Sequence, residues 1–468
     1  MTYECIFLLI GLASAELPVD FGSFDSCPVH LLQVEAAARS KGKAGQPYFW
    51  PSARGAGHGA SEFVAPFDLA ASLNWSWENS LGRFASSPTG VVIDDKKNIY
   101  MTELSALRKF SHSGEELWSY GRQSRSVEMN NAACLLDGVA YLITSDGLVH
   151  AVSMESGKPL WVKAAGNGTD PTNSFVSAKA GRVIVGTDPN SKSNSHVAAL
   201  NATNGDVLWK YQPDKTVWNF LATFPNDNSV VFQDLEGKAY NVNLTDGALN
   251  WKAGGIPNSW TDGSAQLGPN GVVYAVSHNG SQPLEGGTGT LSAYNATTGV
   301  LLWRKITPKP PNNVPAVGRL AGKRDLSVVQ AVGQQDKQYE FLDVYAYDAL
   351  TGEQQWVFNG PMLSTQLPAG DEAGYLTRMS VGLRVLTLPN GWSAPSIDGD
   401  GTVFIGNEEG WLFAIRDVDD DGLITGNEVS SFQTNASFVG TSAPAIADGM
   451  LVAATNGPMF VFKTPSSS

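Results

Sequence analysis

Cysteine is scarce in this chain: there are three in 468 residues, none adjacent and none in a Cys-x-x-Cys pair. That excludes a small disulfide-stapled scaffold, a cysteine-based zinc site and a Cys-x-x-Cys-His haem attachment. Basic residues are also short, 31 Lys and Arg against 45 Asp and Glu, giving a formal net charge of -14. A surface of that sign repels a phosphate backbone, so no nucleic-acid partner is expected. No apolar run reaches the roughly 18 to 20 residues a membrane helix needs, so no transmembrane segment is expected. The histidines, His30, His58, His112, His150, His196 and His278, are scattered without metal-ligand spacing. Gly-x-Ser-x-Gly, Walker and His-Glu-x-x-His motifs are missing. Gly55-Ala-Gly57-His-Gly59-Ala60 follows Trp-Pro rather than a buried strand, so it is expected to be a loop and not a dinucleotide fingerprint.

What the chain has in quantity is turn-forming and aromatic: 49 Gly, 25 Pro and 13 Trp. That balance suits many short strands joined by turns. The length exceeds what one small core organises, so an internal repeat is the first thing to seek.

Residues 1–15 are expected to be a signal peptide. The apolar stretch Ile6 to Leu12 is followed by the small residues Ala13-Ser14-Ala15, with cleavage after Ala15, although Glu4 stands where a basic residue is usual. Seven Asn-x-Ser/Thr sequons, at Asn74, Asn167, Asn201, Asn243, Asn279, Asn295 and Asn435, agree with a secreted or endomembrane-lumen glycoprotein. Asn-Ala-Thr also suits a hairpin turn for its own sake. Cleavage would remove Cys5 and leave Cys27 and Cys134, two thiols that allow a disulfide without establishing one.

Aligned on tryptophan, a unit emerges. Ala151, Gly157 and Trp161 share their spacing with Ala199, Gly205 and Trp209, with Ala293, Gly299 and Trp303, and with Ala346, Gly352 and Trp356. Looser copies keep Gly114 with Trp118 and Gly247 with Trp251, where Arg108 and Asn241 replace the alanine. Each copy reads as strand, glycine turn, strand, and a second alternating pair lies upstream. Four short strands per copy make a propeller blade.

Trp75, Trp118, Trp161, Trp209, Trp251, Trp303 and Trp356 mark seven outer strands, and Phe432 an eighth. The last blade, near Val439 to Lys463, ends before any Trp-bearing strand, whereas Leu73 to Trp77 arrives before a blade of its own. The expected fold is therefore all-β, an eight-bladed β-propeller closed by pairing of the N-terminal strand with the last blade. Residues 16–70 form an N-terminal extension and lead-in, and residues 71–468 a monomeric propeller.

The unit Ala-x-x-x-x-x-Gly-x-x-x-Trp resembles the repeat of pyrroloquinoline-quinone-type propellers. This fold is shared by quinoprotein alcohol dehydrogenases and non-catalytic relatives such as the outer-membrane assembly lipoprotein. Trp50-Pro51-Ser-Ala-Arg54-Gly55 resembles the Trp-Pro-x-x-x-Gly opening ahead of the first blade in that family. For a dehydrogenase, the resemblance implies a quinone at the propeller axis with a catalytic Asp, a metal beside the quinone and, in many members, a disulfide between adjacent cysteines. This chain has no adjacent cysteines.

Between the third and fourth strands of the seventh blade the glycine turn is replaced by a longer loop, Asp417 to Glu428. It fits a twelve-position EF-hand-type calcium loop, with carboxylates at the first, third, fifth and twelfth positions and Gly422 at the sixth. The expected Ca²⁺ ligands are Asp417, Asp419 and Asp421 through one oxygen each, the Leu423 carbonyl, Thr425 directly or through water, and Glu428 through both oxygens. Asp420 is expected to face solvent. Trp411 to Ile415 and Val429 to Phe432 read as flanking strands rather than helices, which favours a staple over a sensor.

These readings converge on a calcium-binding, non-catalytic scaffold that holds a protein, peptide or glycan partner on a propeller face. The alternatives are a quinone-dependent alcohol or sugar oxidoreductase carrying pyrroloquinoline quinone, and a calcium sensor. Gly360 to Trp392 falls outside the repeat, and is read either as a lid or partner-binding loop or as a tolerated insertion.

Overall fold

The computed structural model describes residues 48–465 except 79–89, 104–105, 122–128, 130, 169–173, 189–193, 218, 262, 281–286, 312, 334–340, 365–366, 371, 373–390 and 439–442. Residues 1–15, expected to be a signal peptide, Cys27, His30 and most of the 360–392 insertion lie outside the described residues. Gln46–Ser468 forms one compact unit.

Leu69–Ser72 is a short α-helix, and the strands described group into eight four-stranded antiparallel sheets. Seven blades are sequential, from blade 1 (Val91–Ile93 through Glu116–Gly121) to blade 7 (Ser396–Ile397 through Val429–Gln433). Blade 8 takes three strands, Ala445–Ala447, Met450–Ala454 and Met459–Lys463, from the C-terminal side and its outer strand, Leu73–Trp77, from the N-terminal side. The register there pairs Trp75 with Val461 and Trp77 with Met459. The expected closure is therefore present, and it removes two open sheet edges.

Burial follows strand position. Inner strands are covered on both faces, as in Val272–His278, where every residue is buried. The outer strands alternate between exposed and partly buried positions, as in Glu116–Gly121. Continuous apolar runs therefore belong to the inner strands, and the period of two belongs to the rim.

The tryptophan repeat has a specific mechanical meaning. Each indole reaches the next blade and covers the glycine of its turn: a Cβ added to Gly157 would stand 2.7 Å from Trp118, and one added to Gly299 would stand 2.8 Å from Trp251. The same indoles donate Nε1–H to carbonyls of those turns, Trp118 to Met154 at 3.2 Å and Trp251 to Ala296 at 3.0 Å. Six such contacts link Trp75, Trp118, Trp161, Trp209, Trp251 and Trp303 to Gly114, Gly157, Gly205, Gly247, Gly299 and Gly352. Covering half of an indole stabilises each seam by roughly 2 kcal/mol, at about 25 cal/mol per Å².

Of the two thiols that the expected cleavage would leave, Cys134 is buried and free among the described residues, and Cys27 lies outside them. Among the sequons, Asn74, Asn167, Asn279 and Asn435 are exposed. Asn201, Asn243 and Asn295 are half-buried, and each Oδ1 accepts the N–H of the threonine two residues on, at 2.8, 2.7 and 3.0 Å. For these three the turn chemistry alone accounts for the asparagine.

Candidate metal centre

The loop from Asp417 to Glu428 joins two strands in unbroken register, with Trp411 opposite Gln433 and Ile415 opposite Val429. Arg416 N–H donates to the Glu428 carbonyl at 2.9 Å and closes its base. Within the loop, Asp419 Oδ1 accepts the N–H of Asp421 at 3.3 Å, and Asp421 Oδ1 accepts the N–H of Leu423 at 2.7 Å. Gly422 has φ +80°, a left-handed turn that only glycine adopts without strain. These local constraints bring carboxylate oxygens of Asp417, Asp419 and Asp421 within 4.8 Å of one another.

Asp417 differs from its partners in being 1% exposed, and neither of its oxygens accepts a hydrogen bond from the described residues. A buried carboxylate in that condition needs a cation. The nearest is Lys323, whose Nζ stands 3.4 Å from Asp417 Oδ2 and also contacts Asp420 Oδ1. Asp420 is exposed, as expected, but it is engaged by this lysine.

Glu428 is placed otherwise than the loop pattern suggests. Its Oε1 accepts the Val418 N–H at 2.8 Å and its Oε2 accepts the Thr425 N–H at 2.9 Å, so the carboxylate clasps the two ends of the loop. Those backbone donors hold it below the usual glutamate range, Thr425 foremost. The structure thus converges Asp417, Asp419 and Asp421, while Glu428 and Thr425 bond to each other. The Leu423 side chain is 60% exposed.

The loop also takes over the task of the missing glycine turn. Leu423 forms a parallel bridge with Val357 on the outer strand of blade 6, and Ile424 packs in the cluster that contains Trp356. Trp356 is buried, yet its Nε1–H has no acceptor among the described residues, unlike the six indoles that donate to a turn carbonyl. Lys323 and the Trp356 seam escaped the sequence reading, because both approach the loop from another blade and leave no local pattern.

At the propeller axis the lead-in crosses the innermost strands. Trp50 pairs with Ile93 of blade 1, Leu135 N–H of blade 2 donates to the Pro51 carbonyl, and Ile397 N–H of blade 7 donates to the Gly59 carbonyl. Gly55, Gly57 and Gly59 all have positive φ, so the expected loop is a chain of turns. Ala53 packs with Ala132, Phe175, Leu221 and Val314, which come from four different blades. Beside it lies the buried guanidinium of Arg54, which donates to Gln266 Oε1 at 3.3 Å and the Pro315 carbonyl at 2.9 Å and has no carboxylate partner among the described residues. Burial lowers its pKa to about 9. Among the described residues the carboxylates that converge as a metal site would require are Asp417, Asp419 and Asp421 of the blade 7 loop.

Eight four-stranded blades, six of whose seams are tryptophan on glycine, define a pyrroloquinoline-quinone-repeat β-propeller. The chain belongs to the family whose model is described as outer membrane protein assembly factor BamB, matched over residues 70–188, 103–282 and 236–373. Among curated proteins it is similar to outer membrane protein assembly factor BamB of Legionella pneumophila, 23% identical over 40% of this chain and 45% of that protein. It is also similar to quinohemoprotein alcohol dehydrogenase ADH IIB of Pseudomonas putida, 27% identical over 42% of this chain and 30% of that protein. The chain spans less than half the length of these curated relatives. The crystal structure of BamB from Moraxella catarrhalis superposes with a TM-score of 0.57 at 15% identity, covering 84% of this chain and 99% of that one. At that identity the likeness establishes the fold alone.

Proposed function

We propose that this protein is a non-catalytic, Ca²⁺-stabilised scaffold propeller that holds a protein, peptide or glycan partner on one face, outside the cytoplasm. Membership of a family described by an assembly factor supports the scaffold reading. The observation that carries the calcium is the buried Asp417 carboxylate, without a hydrogen bond and converging with Asp419 and Asp421. Hard oxygen donors at this spacing suit Ca²⁺. On metal entry Asp417, Asp419 and Asp421 would supply carboxylate oxygens, the Leu423 carbonyl and Thr425 would complete the loop, and Glu428 would turn from its backbone donors toward the ion. Because the loop replaces a glycine turn at the seam between blades 6 and 7, the ion acts as a staple. A sensor would require a groove to open, and the flanking segments are paired strands.

The test is isothermal titration of the intact protein with Ca²⁺, beside the variants Asp417→Ala and Glu428→Ala. Saturable heat that both variants abolish supports the site; a flat titration of the intact protein rejects it. Quinone-dependent oxidation of an alcohol or sugar is the competing reading, supported by the likeness to the alcohol dehydrogenase. Dye reduction on adding pyrroloquinoline quinone and Ca²⁺ with an alcohol or sugar would displace the scaffold reading.

A further inference from the structure

Blade 8 has no hairpin between its third and fourth strands, because the other end of the chain completes its sheet. Where blade 8 meets blade 1 lies an open pocket of about 520 Å³. Lys96, Lys97 and Lys463 line it, and Phe49 supplies apolar surface. Three lysines in one pocket run against the composition of a chain whose acids outnumber its bases by 45 to 31. Asp95 and Asp448 also line the pocket; Lys97 Nζ lies 2.5 Å from the Asp448 carbonyl and 3.5 Å from its carboxylate. That exposed pair contributes little. Neither Lys96 nor Lys463 has a carboxylate partner among the described residues.

The backbone singles out Lys97. Blades 1, 5 and 7 use the same turn between their first two strands, closed by the N–H of Lys97 to the Asp94 carbonyl, of Gly271 to the Gly268 carbonyl and of Gly401 to the Asp398 carbonyl. The donor residue is left-handed in each, with φ +73° at Gly271, +79° at Gly401 and +59° at Lys97. A side chain there is strained relative to glycine. The lysine thus occupies a position where glycine would be more stable. Asp94 Oδ1 fixes the turn by accepting the N–H groups of Lys96 at 2.9 Å and Asn98 at 2.8 Å. Burial, and then the charge of Lys97, hold Lys463 below the usual lysine range, a tension that a bound anion would relieve.

We propose that this seam pocket binds a small phosphate or sulfate monoester, its head group on Lys96, Lys97 and Lys463 and its organic body against Phe49. The volume falls within the common range for small-ligand sites, about 300 to 1,000 Å³. The test is titration calorimetry of the full chain with phenyl phosphate, phenyl sulfate and, as the neutral control, benzyl alcohol. Heat is expected with one or both anions and not with the alcohol, with affinity falling at least tenfold in Lys97→Gly and in Lys463→Met. Lys97→Gly should unfold at the same temperature as the parent or higher, which separates a lost ligand from a lost fold. Absence of heat with both anions, or unchanged affinity in the two variants, overturns the proposal.

Discussion

Gly247 lies beneath the indole of Trp209 so closely that an added Cβ would stand 2.8 Å from Cδ2, while the indole N–H donates to the Leu244 carbonyl at 3.0 Å. One residue thus meets two demands, a left-handed turn at φ +74° and room for the neighbouring blade's ring. Gly247→Ala is expected to destabilise by about 2 kcal/mol or more, through backbone strain and overpacking together. Trp209→Phe, which keeps an aromatic ring but loses the donor, should cost about 1 kcal/mol. Urea unfolding of both variants checks the order; a smaller loss for the glycine variant would remove the seam explanation.

Lys323 competes with any metal for Asp417, since its Nζ is 3.4 Å from the carboxylate. Lys323→Met should therefore tighten Ca²⁺ binding about three- to tenfold, the equivalent of roughly 1 kcal/mol for one ion pair. The same variant should lower stability when calcium is chelated, because the buried carboxylate then loses its nearest cation. Calorimetry and thermal melts in chelator report the two effects, and weaker calcium binding in the variant would count against the competition.

The Glu428 carboxylate, held low by the Thr425 and Val418 N–H groups, makes the loop acid-sensitive. A carboxyl group with a depressed folded-state pKa contributes stability above its unfolded pKa, about 4.3, and that contribution is lost as pH falls through the depressed value. In chelator, Glu428→Gln should therefore be less stable than the parent at pH 7, and the difference should shrink below about pH 4. A constant difference across this range would show that the clasp is not electrostatic.

Burial pushes the Cys134 thiol up to about 12. The thiolate is the reactive form, so iodoacetamide at pH 8 should leave Cys134 unmodified in the folded protein and alkylate it in denaturant. Peptide mass mapping reads the outcome, and rapid native labelling would contradict its burial.

The architecture was legible in the residues themselves. The spacing of Trp161, Trp209, Trp303 and Trp356 from their glycines reports a local hairpin, and Leu73 to Trp77 stood ahead of any blade it could complete in sequence. Local rules act over a few residues, which is why the blades, the ring closure and the position of the Asp417–Glu428 loop could all be inferred from sequence alone.

Tertiary structure decided what these hairpins meet. Only packing shows that six of the indoles cover the glycine of the next blade rather than their own, that Lys323 faces Asp417 across a seam, and that Glu428 bonds to backbone. The same holds for Arg54 on the axis and for the lysines gathered beside the ring closure. Each joins segments far apart along the chain, and separation in sequence carries no distance until the sheets close into a ring.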